Sequence, residues 1–250
     1  MSKVSIIIPA YNEEQRLPAT LDSVCSFMDN QKHDYEVLVV DDGSSDGTCD
    51  LVRSYEEKNA KVKLISYDEN QGKGYAVRTG MLAAGGDYVI YNDADGSSPI
   101  EEIEKLIASI DGGHDIAFGS RAKPDDSRYV NALAYRKYMG NTFNLIVQFL
   151  ILPGIQDTQC GFKMFSRNVA RDIFSVAQVN GFAFDVEVLY IARLRHYNWE
   201  EVPINWSNVD GSKVNVLVDS PKMLLEVFKV RLAAWMGKYH KLMNSSEKNA

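Results

Sequence analysis

Short apolar runs alternate with segments of helical periodicity along the first 120 residues. Residues 4–8 and 35–40 are apolar, rich in β-branched side chains and of strand length, and between them apolar residues from Leu17 to Met28 recur at spacings of three and four. The alternation continues with predicted strands at residues 62–65, 88–91 and 115–119 and predicted helices at residues 76–84 and 100–110. Buried strands joined by helices predict an α/β fold with a mainly parallel central sheet flanked by helices.

Three of the predicted strands end in polar clusters, at residues 9–14, 41–48 and 93–95. The strands of a parallel sheet end at the same edge, and open α/β sheets bind ligands beyond the carboxyl ends of their strands. We therefore expect the three clusters to converge on one rim. After residue 120 the regular alternation gives way to longer helices and short extended pieces.

Asp93 and Asp95 stand where the strand at residues 88–91 would leave the sheet. If the backbone stays extended there, both carboxylates point to one side. Two like charges about 4 Å apart cost roughly 4 kcal/mol at an effective dielectric constant near 20, so a cation is expected between them. A site with few oxygen ligands suits Mg²⁺ or Mn²⁺, which keep open positions for phosphates. The alternative is a polar loop that caps the next helix.

Composition narrows the functional class. A net charge of -7 over 250 residues disfavours a nucleic-acid-binding protein. Three cysteines without a paired spacing favour a reducing compartment and argue against a zinc site. The first apolar run is too short for a signal peptide, and no apolar stretch reaches the roughly 18 residues that span a bilayer. The sequence therefore predicts a cytoplasmic protein.

Two common nucleotide motifs are absent. Gly72-Lys73-Gly74 lacks the Ser or Thr that follows the lysine of a phosphate-binding loop, and no Gly-x-Gly-x-x-Gly follows the first predicted strand. Hydride transfer and ordinary ATP hydrolysis are therefore disfavoured. A nucleotide site built from carboxylates and a metal ion remains.

Several motifs resemble those of glycosyltransferase family 2, whose nucleotide-sugar-binding fold is called GT-A. They lie at residues 9–13, 41–48, 70–74, 93–95 and 119–121. Later motifs at residues 157–163, 184–187 and 211–214 resemble the polyprenyl-phosphate glycosyltransferases, and Asp93-Ala94-Asp95-Gly96 resembles their dolichyl-phosphate β-glucosyltransferase branch.

The resemblance implies a UDP-sugar donor bound with Mg²⁺ or Mn²⁺. The residues implied in nucleotide-sugar binding are Pro9, Ala10, Tyr11, Glu13, Val40, Asp42, Lys73, Asp93, Ala94 and Lys213. Asp93 and Asp95 would hold the metal, which would neutralise the departing diphosphate. Lys213, in a predicted mobile loop at residues 207–213, would close over the donor. The alternative for Asp42 is a plain turn and helix cap.

The implied acceptor is a polyprenyl phosphate, which changes what an inverting enzyme needs. A phosphate monoester has a second pKa near 6 and already carries a nucleophilic oxyanion at neutral pH. Cations that position it then matter more than a base, and the candidates are Arg121, Arg136 and Lys163. Besides Asp95, the candidate catalytic residues are Asp157, as a base or an orienting group, with Asp185 and Glu187 in reserve.

An apolar stripe with basic neighbours marks the C-terminus. Its members are Leu225, Phe228, Leu232, Trp235, Tyr239 and Leu242. We expect an amphipathic helix at residues 219–243, which would lie on a membrane surface or pack on its own domain or on a second copy of the chain. Residues 244–250 are expected to be a disordered tail.

The predicted organisation is a GT-A domain at residues 1–218. Residues 1–120 form its nucleotide-sugar-binding half and residues 121–218 its acceptor-binding half. The leading hypothesis is transfer of glucose from UDP-glucose to a polyprenyl phosphate, by a protein that is cytoplasmic or peripheral on the cytoplasmic face of a membrane. One alternative is transfer to a soluble or saccharide hydroxyl, which requires a true base. Another is a non-catalytic UDP-sugar-binding protein.

Overall fold

A computed structural model of the chain describes residues 2–125, 129–131, 134–209, 211 and 216–239, and at 134–139, 141 and 216–219 it describes the backbone alone. The strands are β1 Lys3–Ala10, β2 Asp34–Asp42, β3 Val62–Tyr67, β4 Tyr88–Asn92, β5 Ile116–Ser120, β6 Val130–Asn131, β7 Phe162–Ser166, β8 Trp199–Pro203 and β9 Trp206–Ser207. The α-helices are α1 Leu17–Asp29, α2 Thr48–Lys58, α3 Lys73–Ala83, α4 Ile103–Asp111, α5 Ala134–Leu150, α6 Arg167–Phe174, α7 Phe184–Leu194 and α8 Val216–Trp235.

Seven strands form one sheet in the order β3-β2-β1-β4-β7-β5-β8. All neighbouring pairs are parallel except those made by β7, which runs antiparallel to β4 and β5. The predicted fold class and the five strands predicted before residue 120 are confirmed. Strand β7 was not predicted, because Lys163, its second residue, interrupts the apolar pattern by which a buried strand is recognised.

The sheet buries both of its faces. Along β1, Ile6 and Ile8 enter one hydrophobic cluster, with residues of α1 and α4, whereas Ile7 enters the other, with residues of α3 and α5 to α8. This alternation follows from the two-residue period of a strand. Covering helices on both faces leave the strand ends as the place where polar loops gather.

The C-terminal part contains a long helix and a two-stranded pairing within the described residues. The predicted helix at residues 219–243 corresponds to α8 and a following turn that reaches Tyr239. Ser207, predicted to begin a mobile loop, instead pairs with Asn131 between β9 and β6. The predicted tail at residues 244–250 lies outside the described residues. Among the helices described, none is both long enough and apolar enough to cross a bilayer.

Candidate functional site

The carboxyl ends of β1, β2 and β4 meet at one rim. Ala10 lies opposite Asp41 in the β1–β2 register. The loops beyond them are bonded to each other, since the Asn12 amide donates to Ser44 Oγ at 2.8 Å and the Glu13 amide to Thr48 Oγ1 at 2.9 Å. The first two polar clusters therefore form one surface, as the strand order required.

The aspartate pair lies in a turn. β4 ends at Asn92, and the Gly96 amide donates to the Asp93 carbonyl at 3.4 Å. The Ala94 carbonyl accepts a hydrogen bond from the Thr20 hydroxyl at 2.8 Å, which ties the turn to α1. The backbone is thus not extended through the pair, and simple alternation does not determine where the two carboxylates point.

Each carboxylate of the pair has a cation from this chain. Lys73 Nζ lies 2.6 Å from Asp93 Oδ1, and Arg16 Nη1 lies 3.9 Å from Asp95 Oδ2. The positive charge that the sequence analysis expected beside the two carboxylates is therefore supplied here by two side chains. Lys73 was a predicted site residue, whereas Arg16 was not.

Arg16 is held in place by Glu13. Its Nε donates to Glu13 Oε2 at 2.7 Å, and its Nη2 bonds to Glu13 Oε1. Burial alone would lower the pKa of Arg16, but Glu13 and then Asp95 outweigh burial and raise it. The three-residue spacing of Glu13 and Arg16 is the sequence signal that could have found this pair.

Lys73 is presented by a turn that Asp42 fixes. The two carboxylate oxygens of Asp42 accept the amides of Gln71 at 2.8 Å and Gly72 at 2.9 Å. Gly72 has a φ of +100°, which disfavours any side chain, and α3 begins at the next residue. Burial lowers the pKa of Lys73, but Asp93 outweighs it and the pKa is raised, so the ammonium stays charged.

Asp93 also packs closely against the loop before β7. A Cβ atom at Gly161 would lie 2.3 Å from Asp93 Oδ2, so only glycine allows the carboxylate its present position. Asn92 Oδ1, one residue away, is buried and has no hydrogen-bond partner among the described residues. Asn92, Asp93 and Asp95 thus supply side-chain oxygens at the end of β4, and oxygen ligands of this kind suit a hard divalent cation.

A second charged group joins β5 to the loop after α5. Arg121 grips Asp157 with Nε at 2.7 Å from Oδ2 and Nη2 at 2.9 Å from Oδ1, and its amide donates to Oδ2 at 2.9 Å. Burial alone would raise the pKa of Asp157, but Arg121 outweighs it and lowers the pKa to about 2. Asp157 is therefore ionised and bonded on both oxygens.

Lys163 and Asp185 form a third group beneath the rim. The Lys163 side chain is fully buried, and its Nζ donates to Asp185 Oδ1 at 2.5 Å and to the Cys160 carbonyl at 2.6 Å. The Tyr91 hydroxyl donates to the same Asp185 oxygen at 2.6 Å. Burial, followed by the charge of Asp185, raises the pKa of Tyr91 well above its ordinary value. Lys163 thus supports the rim from below and is not exposed to a ligand in this conformation.

Glu187 stabilises a segment that braces the Lys73 turn. Its oxygens accept the amides of Gln178 at 2.9 Å and Val179 at 2.8 Å and the Tyr239 hydroxyl at 2.6 Å. The carbonyl of the next residue, Asn180, accepts the Gly74 amide at 2.7 Å. Burial raises the pKa of Glu187. The hydrogen bond from Tyr239, which follows α8, was not expected from the sequence.

The remaining predicted site residues fall into two sets. Pro9, Ala10 and Val40 are buried at the strand ends, and Tyr11 is exposed at the rim. The Lys213 residue and the Arg136 side chain lie outside the described part of the structure, so their roles stay predictions.

Comparison with known proteins gives relatives over most of the chain. The family model "Glycosyl transferase family 2" matches residues 5–174. The chain is 39% identical over 251 residues to a dolichyl-phosphate beta-glucosyltransferase of Dictyostelium discoideum, covering 94% of this chain and 75% of that protein. It is 38% identical over 225 residues to the Homo sapiens protein of the same name, covering 85% and 69%.

Solved structures share the fold at lower identity. Glucosyl-3-phosphoglycerate synthase from Mycobacterium tuberculosis, in complex with Mn²⁺, UDP and glucosyl-3-phosphoglycerate, superposes with a TM-score of 0.68 at 19% identity, covering 93% of this chain and 79% of that one. The same enzyme with Mn²⁺ and UDP-glucose also has a TM-score of 0.68, at 17% identity over 92% of this chain and 79% of that one. Both the length of the family match and the identity to curated relatives support the same assignment: this chain belongs to glycosyltransferase family 2.

Proposed function

We propose that this protein transfers glucose from UDP-glucose to a polyprenyl phosphate, with inversion at the sugar carbon and with a divalent cation. The names of the relatives support the acceptor and the sugar, and the UDP-containing structures of the shared fold support the donor. The residues of the rim supply the chemical argument.

The donor half fits a metal-bound diphosphate. Asp93 and Asp95 would hold Mg²⁺ or Mn²⁺, and the bound ion would neutralise charge on the departing diphosphate. With only two protein carboxylates as ligands, the ion would take its other ligands from substrate phosphates and water. Lys73 and Arg16 lie beside the pair and would add positive charge where the diphosphate leaves.

The ionisation and hydrogen bonding of the acidic residues favour one class of acceptor. A general base works best with a pKa near the working pH, yet the pKa of Asp157 is about 2 and both its oxygens are bonded. Asp185 accepts two hydrogen bonds on one oxygen from buried donors. Glu187, the other candidate, also has both oxygens hydrogen-bonded. A hydroxyl acceptor would need one of these three residues to take its proton, whereas a phosphate dianion needs none. We therefore favour the phosphate acceptor, with Asp157 orienting Arg121 as its positioning residue.

Of the two predicted acceptor cations whose side chains are described, Arg121 is the accessible one. Its side chain is 32% exposed, whereas that of Lys163 is 0% exposed. Its guanidinium also lies 5.4 Å from the ring centre of Trp206. Because Asp157 and the Trp206 ring hold the Arg121 guanidinium in one orientation, the guanidinium would be preoriented to bind a phosphate.

A membrane surface is the proposed setting for the lipid acceptor. Four members of the predicted stripe on α8 are exposed, namely Leu225, Phe228, Leu232 and Trp235, whereas Tyr239 is buried. These four side chains therefore do not pack on the described part of the domain, which favours an external partner. We propose that the protein lies peripherally on the cytoplasmic face of a membrane through this stripe.

The test is an assay with purified protein, UDP-glucose, Mn²⁺ and a short-chain polyprenyl phosphate, in which UDP release and lipid-linked glucose are both measured. We expect stoichiometric formation of the two products, and a kcat/KM that rises with pH through the acceptor phosphate pKa near 6 and is flat above it. Release of UDP only with a hydroxyl acceptor would favour the alternative acceptor. Nucleotide binding without either product would identify a non-catalytic UDP-sugar-binding protein.

A further inference from the structure

A groove of about 320 Å³ lies where the end of α5 meets α7 and α8. Arg193 of α7 and Arg231 of α8 both line it, together with Phe149, Leu194 and Tyr190. The groove is separate from the donor rim and includes none of the residues considered so far for catalysis. It therefore needs its own explanation.

The two arginines have no acidic partner among the described residues. Arg193 Nη1 donates to the Ile151 carbonyl at 3.3 Å, and Arg231 Nη1 donates to the Leu150 carbonyl at 2.8 Å. These bonds cap the end of α5 and use one donor of each guanidinium, which has five. By contrast, Arg16, Arg121 and Arg195 each pair with a carboxylate. Two positive charges thus meet at this groove without compensation from the described part of the chain.

The rim of the groove carries some of the most exposed apolar side chains of the described structure. Phe149 is 89% exposed, and on the adjoining surface of α8 Leu232 is 51% and Trp235 is 85% exposed. Large aromatic side chains this accessible mark a surface that meets an apolar partner. The partner must offer both an apolar phase and an anion.

We propose that this groove binds the phosphate of an anionic phospholipid headgroup, with Arg193 and Arg231 as its ligands and Phe149 and Trp235 inserted beside it. A lipid surface supplies both required features, since acyl chains meet the apolar rim and phosphates meet the guanidinium forks. This deepens the proposed function, because it names the lipid class that would hold the enzyme at its acceptor's membrane.

The test uses the full chain without donor or acceptor. It is sedimented with phosphatidylcholine vesicles and with vesicles in which part of that lipid is replaced by phosphatidylglycerol. The double variant Arg193→Gln, Arg231→Gln should lose about 30-fold in affinity for the anionic vesicles, the factor that corresponds to about 1 kcal/mol for each of two basic residues. Its affinity for neutral vesicles should be unchanged.

A matched control removes the same charge elsewhere. Arg53→Gln with Lys58→Gln changes α2, which packs on β3 at one end of the sheet order, and should reduce anionic binding much less. Arg193→Lys with Arg231→Lys should lie between the wild type and the glutamine variant, because lysine keeps the charge but not the fork. The lysine variant keeps the test valid if loss of the α5 cap unfolds the glutamine variant.

Equal losses in the groove and α2 variants would overturn the proposal, as would equal binding of the wild type to both vesicle types. A dimer that dissociates on Phe149→Ser would show that a second copy covers the surface, and would also overturn it. Sugar transfer to a short acceptor without vesicles should be the same in wild type and groove variants. A wild type that binds anionic vesicles but transfers no sugar would reject the proposed function and leave the groove assignment standing.

Discussion

The rim, where we propose that the donor binds, differs from the C-terminal face, which consists of the exposed side of α8 and the adjoining end of α5, in how polar and apolar groups are satisfied. At the rim, Asp93 forms an ion pair with Lys73, and Glu13 forms one with Arg16, so these charged side chains have partners of opposite charge within the chain. On the C-terminal face, Phe149 and Trp235 are almost fully exposed. The nearby Arg193 and Arg231 donate to backbone carbonyls and pair with no acidic residue in the described part of the chain.

This difference indicates how each region meets its ligand. A ligand at the rim must rearrange existing ion pairs, so binding there is an exchange of partners that only a matching charge pattern can make favourable. A ligand at the C-terminal face displaces no described ion pair and covers apolar surface, so binding there is governed by area and by net charge. Substitutions in the two regions should therefore have different signatures.

The largest effect that separates the two regions is expected at the aspartate pair. Asp95→Asn should lower kcat/KM about 100- to 1000-fold, the range for loss of one charge-stabilising group at a leaving oxygen. It should also abolish the dependence of UDP affinity on Mn²⁺, measured by calorimetry. Vesicle binding should be unchanged.

The control for this variant is Asp87→Asn. Asp87 precedes the other end of β4 and pairs with Arg167, so it tests loss of an aspartate next to the same strand away from the rim. Its activity should stay within about threefold of wild type, as for most surface substitutions. A similar loss of activity in both variants would mean that Asp95 acts through stability alone.

Breaking the Arg121–Asp157 pair should reduce stability as well as activity. Asp157→Asn should lower the free energy of unfolding by about 3 kcal/mol, the lower end for a broken buried pair because Arg121 is one-third exposed. Asp50→Asn, which breaks the exposed pair with Arg53, should cost less than about 1 kcal/mol. Urea unfolding of the three proteins measures both.

The same pair sets a pH dependence whose sign is determined by the lowered pKa of Asp157. The pKa is about 2 in the folded protein against an ordinary 3.8, so its contribution of about 2 kcal/mol is present above pH 3.8 and lost as pH falls towards 2. The stability gap between wild type and Asp157→Asn should therefore narrow over this interval. A gap that stays constant would show that the ion pair is not the origin of the loss.

Sequence patterns predicted the position of the rim better than the ion pairs formed within it. The strand ends converge as expected because apolar runs and helical spacing specify a parallel sheet, and the sheet then places residues 9–14, 41–48 and 93–95 together. Which cation meets which carboxylate depends on loop paths and turns that propensity does not specify. Arg16 was missed for this reason.

Burial of a charged residue is equally hard to read from sequence. Lys163 was predicted to contact the acceptor phosphate, yet the structure places it within β7, fully buried against Asp185. A lysine between Phe162 and Met164 gives the same local pattern whether it reaches solvent or an internal carboxylate. Its partner, Asp185, lies 22 residues later on α7, so the pairing depends on how α7 packs beneath the rim and cannot be predicted from the local sequence.

A smaller effect, on the affinities for Mn²⁺ and UDP, tests the idea that a ligand at the rim replaces existing ion pairs. Arg16→Gln removes the cation beside Asp95, so Mn²⁺ should bind the nucleotide-free protein about 5- to 10-fold more tightly, while UDP binds more weakly. Titration of Mn²⁺ with and without UDP measures both changes. Arg53→Gln, which removes an arginine paired at the same three-residue spacing on α2, should change neither affinity.

The smallest effect on stability distinguishes the two faces of α8. Leu225 is 63% exposed, so Leu225→Ala should change the free energy of unfolding by less than about 0.5 kcal/mol. Met223, two residues earlier, is buried, so Met223→Ala should cost about 2 to 3 kcal/mol through loss of core packing. Vesicle binding should show the reverse order, with the larger loss for Leu225→Ala. If Leu225→Ala destabilised the isolated protein as much as Met223→Ala, the exposed stripe would have to pack on this chain or on a second copy. The contrast between a rim whose charges are paired within the chain and a helix whose apolar side faces outward would then fail.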